Sequence, residues 1–374
     1  MTGEVLSSIQ EMLVERQIEA LVVSSPESVT YSAGFEVPSQ AFPIRERIVF
    51  CVITASGDQV MLVPDMEMSY AKSRSLLRSV RDYNEFTDDP VAAVADILRE
   101  LAVTRKRVAL EDDFLPGPVL SRLVGFLPDA TILPAKPLMD NLRLIKTPGE
   151  IQKLRRLAQI AEKAIYYASG RAREGGSELE MATHFYESVL SDGAGGIKEL
   201  IIGSGERAEY ANANPTARHL CGGDLVRMDV LAKDEGYLSD VARTAVVGIP
   251  TRTQRETWAK LIEARSLLLD KVKPGASTGD IFRVYQEFFE RVGLRPINFV
   301  GHGLGLSVHE GPYISRYHTG ELRPGMVIAL EPLYLPSGEG YHVEDTIVVT
   351  DDGHELVTSL HDSSELITIA RGTM

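Results

Sequence analysis

The sequence predicts two domains of different class, an α/β domain over residues 1–140 and an α+β domain over residues 141–374. Three observations carry this. A chain of 374 residues is longer than one ordinary hydrophobic core sustains. Its first third alternates short β-like runs with helical ones. From a strong helix start at Thr147 onward, the pattern changes to long amphipathic segments, strand pairs and glycine-rich turns.

In the first domain, "EALVVSSP" (19–26), "RIVFCVIT" (47–54), "QVMLVPD" (59–65), "RVALEDD" (107–113) and "ATILPAK" (130–136) read as strands, with helices near 4–17 and 90–103. No glycine-rich phosphate loop and no catalytic cluster is visible there, so the domain is expected to support or shape a site. The second domain begins near "LMDNLRLIKTPGEIQKLRRLAQIAEKAIYYA". Thr147 and Glu150 form a capping-box pattern around Pro148, and Ile151, Leu154, Leu157, Ala158, Ala161 and Ile165 follow helical spacing. Ser177 and Glu180 give a second capping pattern, and amphipathic segments follow near 253–272 and 279–292.

Composition excludes several function classes. Apolar residues make up 44% and charged residues 25%, as in a folded globular chain. A net charge of −14 disfavours nucleic acid or an anionic membrane as partner, because both require clustered positive charge. No apolar run approaches the roughly 20 residues of a membrane span. The start "MTGEVLSSIQEMLVERQ" is acidic early and amphipathic, which reads as a domain helix rather than a signal peptide. Cytoplasm is therefore the expected location. Cys51 and Cys221 fit a reducing compartment, and both are expected to be buried.

Chemistry concentrates in the second domain. In "GDLVRMDVLAKDEGYLSDVARTAVVG" (223–248), a hairpin centred between Asp234 and Glu235 would put Asp229 directly opposite Asp240. In "VIALEPLYLPSGEGYHVEDTIVVTDDG", a turn centred between Ser337 and Gly338 would put Glu331 opposite Glu344. Like charges facing across strands are destabilising, so two such pairs call for compensation by cations. The alternative for either pair taken alone is a solvated strand face. "GHGLGLSVHEGP" (301–312) adds His302 and His309, seven residues apart, among glycines that allow close backbone approach. Four carboxylates and an imidazole suit two divalent cations sharing bridging oxygens.

These residues resemble the pita-bread metallopeptidase family, in its prolidase, aminopeptidase P and creatinase branch. "VTYSAGF" (29–35) is similar to the amino-terminal domain of that branch, and "LRLIKTPGEI" (142–151) to its passage into the catalytic domain. "MDVLAKDEGYLSDVARTAVVG", "GHGLGLSVHEGP", "ALEP" and "VEDTIVVTDDG" carry the strongest likeness, in this order and spacing. The resemblance implies a creatinase/prolidase-type domain followed by a pita-bread catalytic domain. It also implies five metal ligands, Asp229, Asp240, His302, Glu331 and Glu344, holding two ions of manganese, cobalt, zinc or iron. Asp240 and Glu344 would bridge, Asp229 would complete one site, and His302 with Glu331 the other. Glu331 would be the proton carrier. His309 would contact the substrate carbonyl, the alternative being a structural histidine beside Glu310. The implied reaction is metal-assisted hydrolysis of an Xaa-Pro dipeptide or short peptide by a cytoplasmic homodimer, an assembly that light scattering tests.

Two positions depart from the family pattern. A substrate-contacting histidine usual in its peptidases falls on Asn212 or Ala213 within "YANANPTARH", and His219 comes too late to replace it. The arginine of an R-x-E-D arrangement is here His342, as a substrate contact or as a simple replacement. These departures keep open a repurposed enzyme acting on a small amide or osmolyte such as creatine, ectoine or dimethylsulfoniopropionate. A non-catalytic binding protein on the same fold is a third reading, disfavoured because all five ligand types are present.

Overall fold

The computed structural model describes residues 2–41 and 47–372. The chain divides into two compact units, Met1–Arg143 and Leu144–Met374. In the first unit each expected strand forms, as Ala20–Val23, Phe50–Thr54, Gln59–Pro64, Arg107–Leu110 and Thr131–Pro134. Among the described residues they join Ser79–Tyr83 in one mixed sheet, with Ala20–Val23 antiparallel to Phe50–Thr54 and parallel to Arg107–Leu110. Ser79–Tyr83 ("SVRDY") lacks apolar alternation, and its extended form comes from parallel pairing with Gln59–Pro64 at the sheet edge.

The expected strand 19–26 is cut short by a helix, Pro26–Ala33. Ser25 caps it, Pro26 opens it and Gly34 ends it at φ 80°. Buried Glu111 secures that start. Its carboxylate accepts from the Ser24 and Ser25 backbone N–H groups at 2.7 and 2.6 Å and from the Ser25 and Ser28 hydroxyls at 2.7 and 2.5 Å. An anion at a helix N-terminus is favourable, which accounts for a carboxylate inside this core.

In the second unit both expected capping boxes are made, by Thr147 with Glu150 and by Ser177 with Glu180. The helix Pro148–Arg171 buries Leu154, Leu157, Ala158, Ala161 and Ile165 of its apolar stripe. Each large aliphatic side chain so buried contributes roughly 1.5–3 kcal/mol. The unit contains a repeat. The turn and helix at Gly175–Ser191 recur at Gly275–Arg291, each helix capped by a serine, Ser177 or Ser277. The Gly175 N–H donates to the Leu220 carbonyl, and the Gly275 N–H donates to that of Leu322. Each repeat feeds its own sheet. One is ordered Ile367–Ile369, Val241–Val247, Leu225–Asp234, Gly196–Ser204; the other runs Glu310–Ser315, Phe299–Gly303, Val327–Leu330, Asp345–Val349, His354–Leu356.

No helix among the described residues is long and apolar enough to cross a membrane. Cys51 is buried as expected, but Cys221 is exposed. It lies in a polar turn where its N–H donates to Asp224 Oδ2 at 2.9 Å, and such turns run over the surface.

Candidate metal centre

The first carboxylate pair lies on the hairpin Leu225–Asp234, Tyr237–Leu238 and Val241–Val247. Its turn centres on Glu235 and Gly236, both at positive φ (47° and 85°), the type I′ geometry that favours glycine second. The register therefore differs by two residues from the expected one: Asp229 faces Ala242, not Asp240. A slip of two preserves the face. Asp229 and Asp240 remain diagonal neighbours, and the Asp229 carboxylate disfavours charge on Asp240.

The second pair keeps its expected register, since Leu330 faces Asp345 and Leu333 faces His342. Glu331 and Glu344 fall between these two ladders. Their backbones are held elsewhere, the Glu331 N–H donating to Val300 O at 2.9 Å and the Glu344 N–H to Ala242 O at 3.0 Å. The second bond ties Glu344 to the strand that follows Asp240, so carboxylates from two sheets meet.

His302 arrives on Phe299–Gly303, opposite Ala329. The glycines around it are steric necessities. A Cβ on Gly303 would lie 2.0 Å from the Gly311 carbonyl oxygen, and one on Gly305 2.9 Å from the Glu310 carboxylate. Glu310 also accepts from the Leu306 and Ser307 N–H groups and forms a buried ion pair with Lys146 at 3.2 Å. Sequence reading missed Lys146, which directly precedes the capping box.

The cluster has the donor chemistry of a divalent metal site. Asp229, Asp240, His302, Glu331, His342 and Glu344 are each between 1% and 8% exposed. His302 Nε2 lies 3.2 Å from Glu331 Oε1 and 3.6 Å from Asp240 Oδ2. Its Nδ1 faces the Gly303 carbonyl at 3.0 Å, and donation there leaves the Nε2 lone pair directed at the acids. Asp229 Oδ1, Glu331 Oε1 and Glu344 Oε2 are buried without a hydrogen-bond donor. Buried acceptors left so are costly unless a cation takes them. Two groups of donor atoms, each within 4.8 Å, could hold an ion: Asp229, His342 and Glu344, and Asp240, His302 and Glu344.

His309 is exposed, its ring centroid 4.1 Å from that of His302. Asn212 is exposed too. Its amide makes no hydrogen bond among the described residues, and buried Arg227 braces the loop before it through the Ala208, Tyr210 and Ala211 carbonyls. Arg227 and Arg243 were also missed, although a charged residue inside each apolar strand run was the available signal.

Electrostatics follow from burial. Asp229, Asp240 and Glu344 are pushed above the usual carboxylate range by burial first, with neighbouring acids adding to it for Asp240 and Glu344. Burial opposes a charged Glu331 too, yet the His302 and His342 imidazoles beside it hold it at about 2. Burial disfavours the His302 cation, and Glu331 outweighs it, raising that pKa. His309 is lowered, by partial burial of its ring and by the charge on His302.

Protons therefore stand in for cations in the metal-free cluster. Unfolded, the acids titrate near about 4 and the imidazole near about 6.5. The folded pKa of His302 and of three acids is higher, so their stability contribution is full below those values and is lost as pH rises through the folded ones. Metal-free protein should lose Tm as pH rises, and a divalent ion should restore more of it at pH 8 than at pH 6. Thermal scans with chelator or added metal measure this; an equal shift at both pH values would refute it.

Comparisons with known proteins agree with the architecture. Residues 6–145 match the Creatinase/Prolidase N-terminal domain and residues 152–351 match Metallopeptidase family M24. The Xaa-Pro dipeptidase of Pyrococcus furiosus is 29% identical over 363 residues, covering 95% of this chain and 97% of that protein. The crystal structure of recombinant prolidase from Thermococcus sibiricus superposes with a TM-score of 0.87 at 26% identity, covering 98% of each chain. The solved structure of the Xaa-Pro dipeptidase from Bacillus anthracis does so with a TM-score of 0.86 at 25% identity, covering 99% of this chain and 100% of the other.

An α/β domain preceding a pita-bread domain, with acids and imidazoles converging inside the second, defines the chain as a metallohydrolase. It belongs to metallopeptidase family M24 and carries the amino-terminal domain of the creatinase and prolidase branch.

Proposed function

We propose that this chain hydrolyses dipeptides or short peptides with proline in second position, using two divalent ions held by Asp229, Asp240, His302, Glu331 and Glu344. The observation that carries the reading is the Glu344 carboxylate, which belongs to both candidate ligand groups, as a bridging ligand must. The proline preference draws on whole-length similarity to the Xaa-Pro dipeptidase of Pyrococcus furiosus.

Bound divalent ions supply a water acidic enough to be deprotonated near neutral pH and polarise the scissile carbonyl. Glu331, ionised at that pH, accepts the proton of the attacking water and delivers it to the leaving nitrogen. His309, kept neutral by its lowered pKa, donates a hydrogen bond to the carbonyl oxygen, a bond that strengthens as negative charge develops there. Asp229, Asp240, His302 and Glu344 fix the geometry.

Asn212, exposed and standing where peptidases of the family usually carry a substrate-contacting histidine, favours a second reading in which the substrate is a small amide or osmolyte. A panel of Xaa-Pro and other dipeptides, assayed on metal-stripped protein reconstituted with manganese, cobalt or zinc, separates the two. Metal-dependent cleavage preferring proline is the expected result; metal binding with no peptide turnover would transfer the assignment to the second reading.

A further inference from the structure

His342 stands where the family pattern places an arginine, and its surroundings suit a ligand better than a replacement for a guanidinium. The residue is 2% exposed, and neither ring nitrogen has a hydrogen-bond partner. Nε2 lies 3.5 Å from Glu331 Oε2 and 3.8 Å from Glu344 Oε2, too far for a good hydrogen bond to either. The backbone holds the ring in place. His342 pairs with Leu333, its N–H donates to Thr244 Oγ1 at 2.8 Å, and its carbonyl accepts from the same hydroxyl at 3.2 Å. A buried imidazole with no hydrogen-bond partner, positioned by its strand and facing two carboxylates, is costly unless something else occupies its lone pair.

The two donor groups locate that occupant. Asp240, His302 and Glu344 form one group and Asp229, His342 and Glu344 the other, so His302 and His342 take equivalent places on either side of shared Glu344. We propose that His342 Nε2 is a sixth metal ligand, completing with Asp229 and Glu344 the site that the family pattern leaves to carboxylates alone. The inference rests on the dinuclear reading given above. Each ion then has one imidazole among its donors. Imidazole suits zinc, iron and copper, whereas carboxylate-only sites suit manganese and magnesium. The Asp229 side should therefore hold zinc in preference to manganese, and an arginine there could not have served, having no acceptor lone pair.

Two measurements on the full chain test this. X-ray absorption of the zinc-loaded protein counts imidazoles directly: two per two ions are expected, one on each. One imidazole per two ions would overturn the inference while leaving the dinuclear reading intact. Calorimetric titration of metal-stripped protein with zinc and with manganese then compares the native chain with His342→Ala and His342→Gln, using His318→Ala as an imidazole outside the cluster. One of two zinc sites should weaken at least about 10-fold in both His342 variants, with a smaller loss for manganese. Unchanged affinity at both sites in folded variants would overturn the assignment. A native chain that binds no divalent ion would overturn the dinuclear reading as well, and stoichiometry separates that failure from the first.

Discussion

Glu331→Gln should lower kcat roughly 10²–10⁴-fold, the usual contribution of a positioned acid–base group, with KM almost unchanged. The glutamine keeps the shape and one oxygen but cannot take a proton. Glu331 is the acid of the cluster held ionised, at about 2, while burial pushes Asp229, Asp240 and Glu344 the other way. That contrast supports the proposed role of Glu331 as base, because acids whose environments separate their pKa values divide the roles between them. Steady-state kinetics on the best dipeptide, with zinc content measured in parallel, distinguishes lost proton transfer from lost metal. A fully metallated Glu331→Gln retaining kcat within about tenfold of the native chain would remove Glu331 from that role.

Asp345→Ala should be the most destabilising single change near the site, by about 3–5 kcal/mol. Asp345 and Arg243 are each 1% exposed and paired at 2.8 Å, and Arg265 approaches the other carboxylate oxygen. Burial raises the Asp345 carboxyl, and the two guanidinium groups outweigh it and lower it, so the acid is ionised. Thr358 adds a hydrogen bond at 2.6 Å. Removing the carboxylate leaves the Arg243 guanidinium buried without its counter-charge, which costs more than the pair itself contributes. The change should also reach the metal. Arg243 donates to the Glu344 carbonyl at 2.5 Å, so a displaced guanidinium releases the backbone of the shared ligand. Metal affinity should fall about 10–100-fold, as for other groups that orient ligands. Thermal scans and zinc titration of the same preparation read both effects; a Tm within a degree or so of native would mean that the ion pair is dispensable.

The legible parts of this protein share a physical basis. Capping boxes at Thr147 and Ser177, and the apolar stripe behind the first, are local, so they appear in the structure as read. The register of Glu331 and Glu344 was readable because a serine–glycine turn set its centre, with Gly338 at φ 77°. Asp229 and Asp240 were matched to the right face but the wrong partner, since the turn sits on Glu235–Gly236, where glycine best supplies the second positive φ. The strand Ser79–Tyr83 and the helix Pro26–Ala33 were not read. The first owes its form to a neighbouring strand, and the second hides its cap in what looks like the end of a strand.

The sequence by itself determined the residue types of the centre, their order, and the faces on which they lie, because side-chain direction follows strand and helix period. Only the tertiary structure decided how the two sheets meet. The bond from the Glu344 N–H to Ala242 O, the Arg243–Asp345 pair beneath it and the bonds that tie the His342 backbone to Thr244 join residues about 100 positions apart. No local period encodes such contacts. They exist because two helix-backed sheets must bury their apolar faces, and the polar groups caught between them have to find partners there.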